Sequence, residues 1–200
     1  MNRSHLTPEI QLHLITPNCE LWTADNAKSP FKDPFWSFYW PGGQSLSRFI
    51  LDNPSFVANK TVLDVGCGSG ACGIAAALSN ANIVVSNDID EVACIASKLN
   101  AELNKISLKT ESLNFVGHKI LWDCILVGDM FYNNELASSL LKWLQQLHIS
   151  GKTVLIGDAG RLSKMDIYGK ENLKLLAIYE LPENVKRENE ELSSAQVWSM

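Results

Sequence analysis

From Lys60 onward the chain alternates short apolar runs with longer amphipathic ones. The strand–helix alternation places seven strands near 61–65, 83–88, 108–113, 122–128, 152–158, 173–181 and 194–199. The intervening periodicity predicts helices near 71–80, 91–104 and 133–147, with a shorter one near 162–168. Runs 122–128 (Cys124, Ile125, Leu126, Val127) and 152–158 (Val154, Leu155, Ile156) are almost unbroken, as in a sheet interior covered on both faces. This alternation predicts an α/β fold: a doubly wound, mostly parallel seven-stranded sheet of Rossmann-like type. The last run, AQVWS, is expected to pair antiparallel at the edge. Residues 1–59 read as an N-terminal extension and 60–200 as the α/β domain. Within the extension, residues 9–22 alternate apolar and polar (Ile10, Leu12, Leu14, then Leu21, Trp22) and predict two short strands around Thr16-Pro17-Asn18. Pro41 and Gly42 then open a helix running from about Gly43 to Leu51.

The densest chemistry lies in TVLDVGCGSGACGIAAALSNANIVVSNDID, residues 61–90. A strand runs into a turn containing Gly66, Gly68 and Gly70, then an alanine-rich helix and a second strand ending near Asp88. Glycines let a backbone approach a ligand, and a carboxylate about 20 residues on suits ribose hydroxyls, so an adenosine-containing cofactor is implied. Gly66-Cys67-Gly68-Ser69-Gly70-Ala71 also satisfies GxGxxA, which keeps a nicotinamide or flavin dinucleotide open. Asp64, just before the turn, favours a cofactor with cationic groups. S-Adenosylmethionine has an ammonium and a sulfonium and no phosphate. Asp90 is expected to cap the next helix. Ile89 is placed to pack against adenine, and residues 112–114 follow the third strand within reach of its edge.

Phe35, Trp36, Phe38, Tyr39 and Trp40 crowd one short segment. Phe35 and Phe38 read as a lid, while Tyr39 and Trp40 suit the cofactor pocket because sulfonium and ammonium cations are drawn to aromatic faces. Gly128-Asp129-Met130-Phe131-Tyr132 ends a buried strand, and in this fold ligands gather at the carboxyl ends of strands. Asp129 and Tyr132 are thereby expected at an active site.

Composition narrows the partners. The net charge of −5 disfavours nonspecific attraction to nucleic acid and suits a basic protein surface. No run reaches the roughly 18 apolar residues of a membrane helix, so no membrane partner is expected. Arg3 stands near Glu9, Glu20 and Asp25, unlike a secretory or Arg-rich transit segment. Five cysteines without CxxC spacing indicate a reducing compartment, and four scattered histidines give no metal-site spacing, so no metal is expected. A monomer is the expected state.

DVGCGSG followed by NDID resembles the first two motifs of the seven-strand, class I methyltransferases. GDMFY resembles the DxxY substrate element of their protein-lysine branch and lacks the [ND]PP[FY] element of enzymes acting on adenine or glutamine. With PFWSFYWPGGQSLSRFILDNP and VLIGDAGR, the resemblance extends from about Leu6 to Trp198 and is closest to the electron-transfer flavoprotein beta-subunit lysine methyltransferases. It implies S-adenosylmethionine as cofactor, held by Trp40, Asp64, Gly66, Cys67, Gly68, Gly70, Asp88, Ile89 and Asp129. It also implies Asp129 and Tyr132 as catalytic residues and Asp129, Phe131 and Tyr132 as the lysine site. Asp129 reads as the group that captures and orients the incoming ammonium, and Cys67 as packing rather than chemistry. The implied partner is the flavoprotein beta subunit, with a ribosomal protein as the rival. The implied compartment is a bacterial cytoplasm, or the mitochondrial matrix if a transit peptide has been removed. A dinucleotide oxidoreductase and a non-catalytic interaction module remain the alternatives.

Overall fold

In a computed structural model, which describes residues 5–16, 19–22, 31, 34–165, 167–189 and 192–200, seven strands form one sheet. They are β1 (Thr61–Val65), β2 (Ile83–Asn87), β3 (Lys109–Glu111), β4 (Cys124–Gly128), β5 (Thr153–Asp158), β6 (Lys174–Glu180) and β7 (Ser194–Ser199). The order is β3-β2-β1-β4-β5-β7-β6, parallel except for β7, which runs antiparallel to both neighbours. The final strand is therefore inserted between β5 and β6; β6, not β7, forms the edge. A register of Ile156 against Trp198 and Gly157 against Val197 explains the apolar character of AQVWS.

Successive residues of each strand feed opposite faces. Val62, Val84, Leu126 and Leu155 meet α1 (Pro41–Asp52), α2 (Ala71–Leu78) and the N-terminal segment. Leu63, Val85, Ile125 and Ile156 meet α4 (Asn134–Ile149) on the other face. Helix α3 (Glu91–Leu103) is capped by Asp90, whose side chain accepts from the Val92 N–H, and α4 by Asn133, which accepts from Leu136. The short helix expected near 162–168 is a single turn, α5 (Arg161–Lys164), and a further helix, α6 (Glu183–Glu188), lies between β6 and β7.

The alternating stretch at 9–16 is not a strand pair. Ile10, Leu12 and Ile15 point into the core, which accounts for the period. The backbone, however, bonds to two asparagine side chains, Asn100 on α3 and Asn104 just past its end. Gln11 N–H donates to Asn104 Oδ1 at 2.9 Å and Gln11 C=O accepts from Asn104 Nδ2 at 2.7 Å. His13 N–H donates to Asn100 Oδ1 at 2.7 Å, and Asn100 Nδ2 reaches on to the Ser69 carbonyl. Residues 20–22 form a 3-10 turn, and Pro17 and Asn18 lie outside the described residues.

Helix α1 seats its first turn directly on sheet backbone. A methyl on Gly157 would overlap the Gly42 carbonyl and come within 2.7 Å of Leu46 Cβ; one on Gly42 would lie 2.6 Å from the Gly157 oxygen. At Gly128 a methyl would meet Gly43 Cα at 3.1 Å. Gly43 itself has only the Tyr39 ring at 3.7 Å. Asp64, deep in β1, accepts from the Gly73 N–H at 2.9 Å and ties the strand to α2.

Two predictions follow from this packing. Gly157→Ala should lower stability by about 1–3 kcal/mol through overpacking, whereas Gly43→Ala should be neutral or gain up to about 1 kcal/mol of helix propensity; urea unfolding compares them. Burial pushes the Asp64 carboxyl from 3.8 to about 7. The fold then holds a proton that the unfolded chain has released, so this contribution is full below about pH 4 and is lost as pH rises through about 7. Stability measured from acid to neutral pH should therefore decline, by at most about 1.4 kcal/mol per pH unit for one proton. Asp64→Asn, which keeps the oxygen facing Gly73, should flatten that slope.

Candidate active site

Strand order reverses between β1 and β4, and a pocket of about 500 Å³ opens at the carboxyl ends of the strands around that switch point. The volume falls in the range of small-molecule sites. Gly66 and Gly68, in the turn after β1, form its floor. The Gly68 N–H is not open to solvent: it donates to Asp88 Oδ2 at 3.1 Å, while Asp88 Oδ1 accepts from the Asp90 N–H at 3.1 Å. One carboxylate thus clamps the glycine turn to the end of β2.

Beside Asp88, Ile89 stands 76% exposed on the pocket wall. Asn87, the last residue of β2, donates through Nδ2 to the Glu111 and Leu113 carbonyls, both at 2.7 Å. This fixes the loop after β3, so Leu113, Asn114, Phe115 and Val116 complete an apolar wall. The opposite side comes from the end of β4 (Gly128, Asp129, Met130, Tyr132), with Leu136, Arg161 and the aromatic segment Phe35, Trp36 and Trp40. Trp40 Nε1 donates to the Phe35 carbonyl at 3.0 Å, which holds that segment over the mouth.

Asp129 is the junction of this side. Its φ of 55° is left-handed, an uncommon state for a residue with a side chain. The bend turns the carboxylate back toward α1, whose own N-cap residue, Trp40, offers no side-chain bond. Asp129 Oδ2 accepts from the Gly43 N–H at 2.9 Å and so caps α1 from across the sheet. Its Oδ1 lies 3.2 Å from Arg161 Nη1, and the Arg161 guanidinium carbon sits 5.9 Å from the centre of the Trp40 ring. Burial pushes the Asp129 carboxyl up to about 6, against the pull of Arg161 and the helix N–H groups. At neutral pH it is mainly ionised. Burial raises Asp88 as well.

Asp88, Ile89, Asp129, Tyr132, Trp40, Gly66 and Gly68, all expected at the site, do meet at this one pocket. Five others, Phe131, Asp64, Gly70, Cys67 and Tyr39, are absent from its lining. Phe131 is fully buried in the core against α4 and cannot touch a substrate, because the turn after β4 points it inward while Tyr132, 60% exposed, faces out. Asp64 is buried beneath the glycine turn, bonded to Gly73 rather than presented to a ligand. Gly70 is needed for close approach of α3: a side chain there would run into Ser97. The Cys67 thiol is buried, and its pKa is raised by that burial. Tyr39 also faces away, its hydroxyl 3.0 Å from Thr7 Oγ1. Two residues that reach the pocket are already partnered. Arg161 lies over the Trp40 ring, and each Asp129 oxygen has one partner, so a cation arriving at Asp129 shares the carboxylate with Arg161. Phe115, Val116, Met130, Leu136 and Arg161 were not singled out as site residues; for Arg161 the available signal was its place just beyond the carboxyl end of β5.

Among the described residues the charged groups on the wall are Asp88, Asp90, Asp129 and Arg161, and Arg161 is already paired. A diphosphate would face three carboxylates and a turn whose Gly68 N–H is taken. A cofactor carrying cationic groups, ribose hydroxyls and a flat apolar ring fits these residues far better.

Comparison with known proteins agrees. The family model described as Ribosomal protein L11 methyltransferase (PrmA) matches residues 45–156, more than half of the chain. The electron transfer flavoprotein beta subunit lysine methyltransferase of Danio rerio is 49% identical over 99% of this chain and 78% of its own length. The protein of that name from Homo sapiens is 44% identical over 96% of this chain and 75% of its own length. Among solved structures, N-methyltransferase NodS from Bradyrhizobium japonicum WM9, crystallised with S-adenosyl-L-homocysteine, shares the fold with a TM-score of 0.56 at 14% identity, covering 85% of this chain and 92% of that one. The chain is a class I methyltransferase with a PrmA-type domain and belongs to the electron transfer flavoprotein beta subunit lysine methyltransferase family.

Proposed function

We propose that this protein uses S-adenosylmethionine to methylate lysine ε-amino groups on the electron-transfer flavoprotein beta subunit. The observation that carries the cofactor reading is the charge of the pocket, with three carboxylates and a single, paired guanidinium among the described residues of its wall. S-Adenosylmethionine supplies an electrophilic methyl group, which the lysine nitrogen takes as the carbon–sulfur bond breaks and its electron pair stays on sulfur. Each carboxylate oxygen of Asp88 keeps acceptor capacity after its backbone bond, enough for ribose hydroxyls. Ile89, Leu113, Phe115 and Val116 offer apolar area to an adenine. Gly66 and Gly68 let the backbone approach the methionine part.

On the other side the residues handle the lysine. Asp129 orients the ammonium as it arrives, and the Tyr132 ring at the mouth flanks the alkyl stem. Phe35, Trp36 and Trp40 exclude water from the reacting atoms, so catalysis is chiefly alignment and desolvation. No covalent nucleophile is required, and the five cysteines are free thiols, in keeping with a reducing bacterial cytoplasm or mitochondrial matrix.

The beta-subunit substrate is supported by the names of the relatives matched along almost the whole chain. A ribosomal-protein lysine is the second reading, favoured by the family model over 45–156. That match takes in the glycine turn, Asp129 and Tyr132, but leaves out the aromatic segment at 35–40 and Arg161, which the relatives aligned along almost the whole chain include.

Asp88→Asn should leave the fold intact and weaken S-adenosylhomocysteine binding by about 1.5–3 kcal/mol, the worth of charge-assisted hydrogen bonds. Isothermal calorimetry reads it, and unchanged affinity would remove Asp88 from the cofactor site. Incubation with purified beta subunit, and separately with ribosomal proteins, followed by mass spectrometry, should show methyl increments on beta-subunit lysines. Increments on a ribosomal protein alone would overturn the named substrate and leave the methyltransferase reading standing.

A further inference from the structure

A lysine ammonium has an ordinary pKa of about 10.4 and must shed a proton before its nitrogen can accept a methyl group. A bare carboxylate beside it works against that loss, because an opposite charge stabilises the ammonium. The carboxylate at the lysine end of this pocket is not bare. Arg161 Nη1 lies 3.2 Å from Asp129 Oδ1, and the guanidinium rests over Trp40 on its other side. The position is built rather than incidental. Gly160, with φ of 83°, turns the chain after β5, and Asp158 Oδ2 accepts from the Leu162 N–H at 3.0 Å, fixing the turn that projects Arg161. Arg161 retains access to the pocket while Asp129 is nearly buried.

The other groups around the pair do not replace this charge. Helix α1 presents the N–H groups of Gly42 and Gly43, and α2 presents the Cys72 thiol, raised by burial. Asp158, buried behind α5, and Asp88 and Asp90 across the pocket add only negative charge. Arg161 is the sole cation on the described wall, and a guanidinium stays charged throughout the working range.

We infer that Arg161 sets the protonation state of the acceptor lysine: by neutralising Asp129 where the lysine enters, it lets the ammonium release its proton to solvent and present a free lone pair. Arg161 is a positioning residue in this scheme, acting through Asp129. The inference rests on the lysine methyltransferase reading above. The proton passes to water, and no oxidant or further reactant is involved. Asp129 still orients the nitrogen, but the pair as a whole carries no net charge to hold it protonated.

The test measures kcat and KM of the full chain with S-adenosylmethionine and purified beta subunit between about pH 7 and pH 10, bracketing lysine titration. In Arg161→Gln the rising limb of kcat should move to higher pH by about one unit, with about tenfold lower rate near neutrality. KM for the beta subunit should stay equal or fall, because the freed carboxylate attracts the ammonium. Adding Asp129→Asn, which keeps an oxygen for the Gly43 N–H, should bring the limb back toward that of the unaltered enzyme. Arg161→Lys, which keeps the charge and loses the planar contact with Trp40, should keep the original limb. A uniform loss of rate at every pH in Arg161→Gln, or a limb displaced as far in Arg161→Lys, would overturn the inference and leave Arg161 a packing residue. If the unaltered enzyme transfers no methyl to the beta subunit or to ribosomal proteins, the functional reading falls and the inference with it. With the unaltered enzyme active, the pH limb decides the inference alone.

Discussion

The site depends on one backbone-to-backbone contact, where the first turn of α1 lies against the ends of β4 and β5. Gly42, Gly43, Gly128 and Gly157 meet there without side chains between them. A residue of ordinary size at Gly42 or Gly157 would push α1 off the sheet. Close seating brings the unsatisfied N–H groups of α1 within reach of Asp129, and the carboxylate replaces the cap that Trp40 does not provide. It also holds Trp40 beside Arg161 and Phe35 above the mouth. The left-handed bend at Asp129 is sustained by these contacts, as local strain at functional sites commonly is.

The described wall of the pocket is acidic, with Asp88, Asp90 and Asp129 against one arginine. The carboxylates of Asp88, half-buried, and Asp129, buried, are each held by backbone N–H groups, so their positions are set before any ligand arrives. Such preorganised dipoles work best where water is excluded. Burial raises both pKa values, which is the energetic consequence of placing anions in a largely apolar cavity. A ligand bearing positive charge relieves that situation. A family built to hold a sulfonium and to receive an amine has a physical reason for this arrangement.

The central strands β1, β4 and β5 were legible because buried strands declare themselves as apolar runs, and Asp90 was legible as a cap because capping is local. The N-terminal stretch misled for an instructive reason. Ile10 and Leu12 have strand-like alternation, yet the backbone of the intervening Gln11 and of His13 is satisfied by Asn104 and Asn100, 93 and 87 positions later. Hydrophobic period reports which side is buried; it does not report what the backbone bonds to. Phe131 and Tyr132 show the same limit within the site. Both are aromatic and adjacent, and only the direction of the turn after β4 sends one into the core and the other to the pocket.

By itself the sequence determined the α/β sheet, the glycine turn between β1 and α2, the carboxylate after β2 and the acidic residue after β4, since each is written in neighbouring residues through periodicity, spacing and turn chemistry. The tertiary structure alone decided that β7 slips between β5 and β6, that Asp64, Cys67 and Gly70 lie behind the pocket wall, and that Asp129 is shared between α1 and Arg161. Those outcomes join residues from 32 to 86 positions apart in the Asp129 cluster, where no local pattern can register a partner. They follow from the seating of α1 on glycines, a matter of how closely two backbones can approach once the sheet has formed.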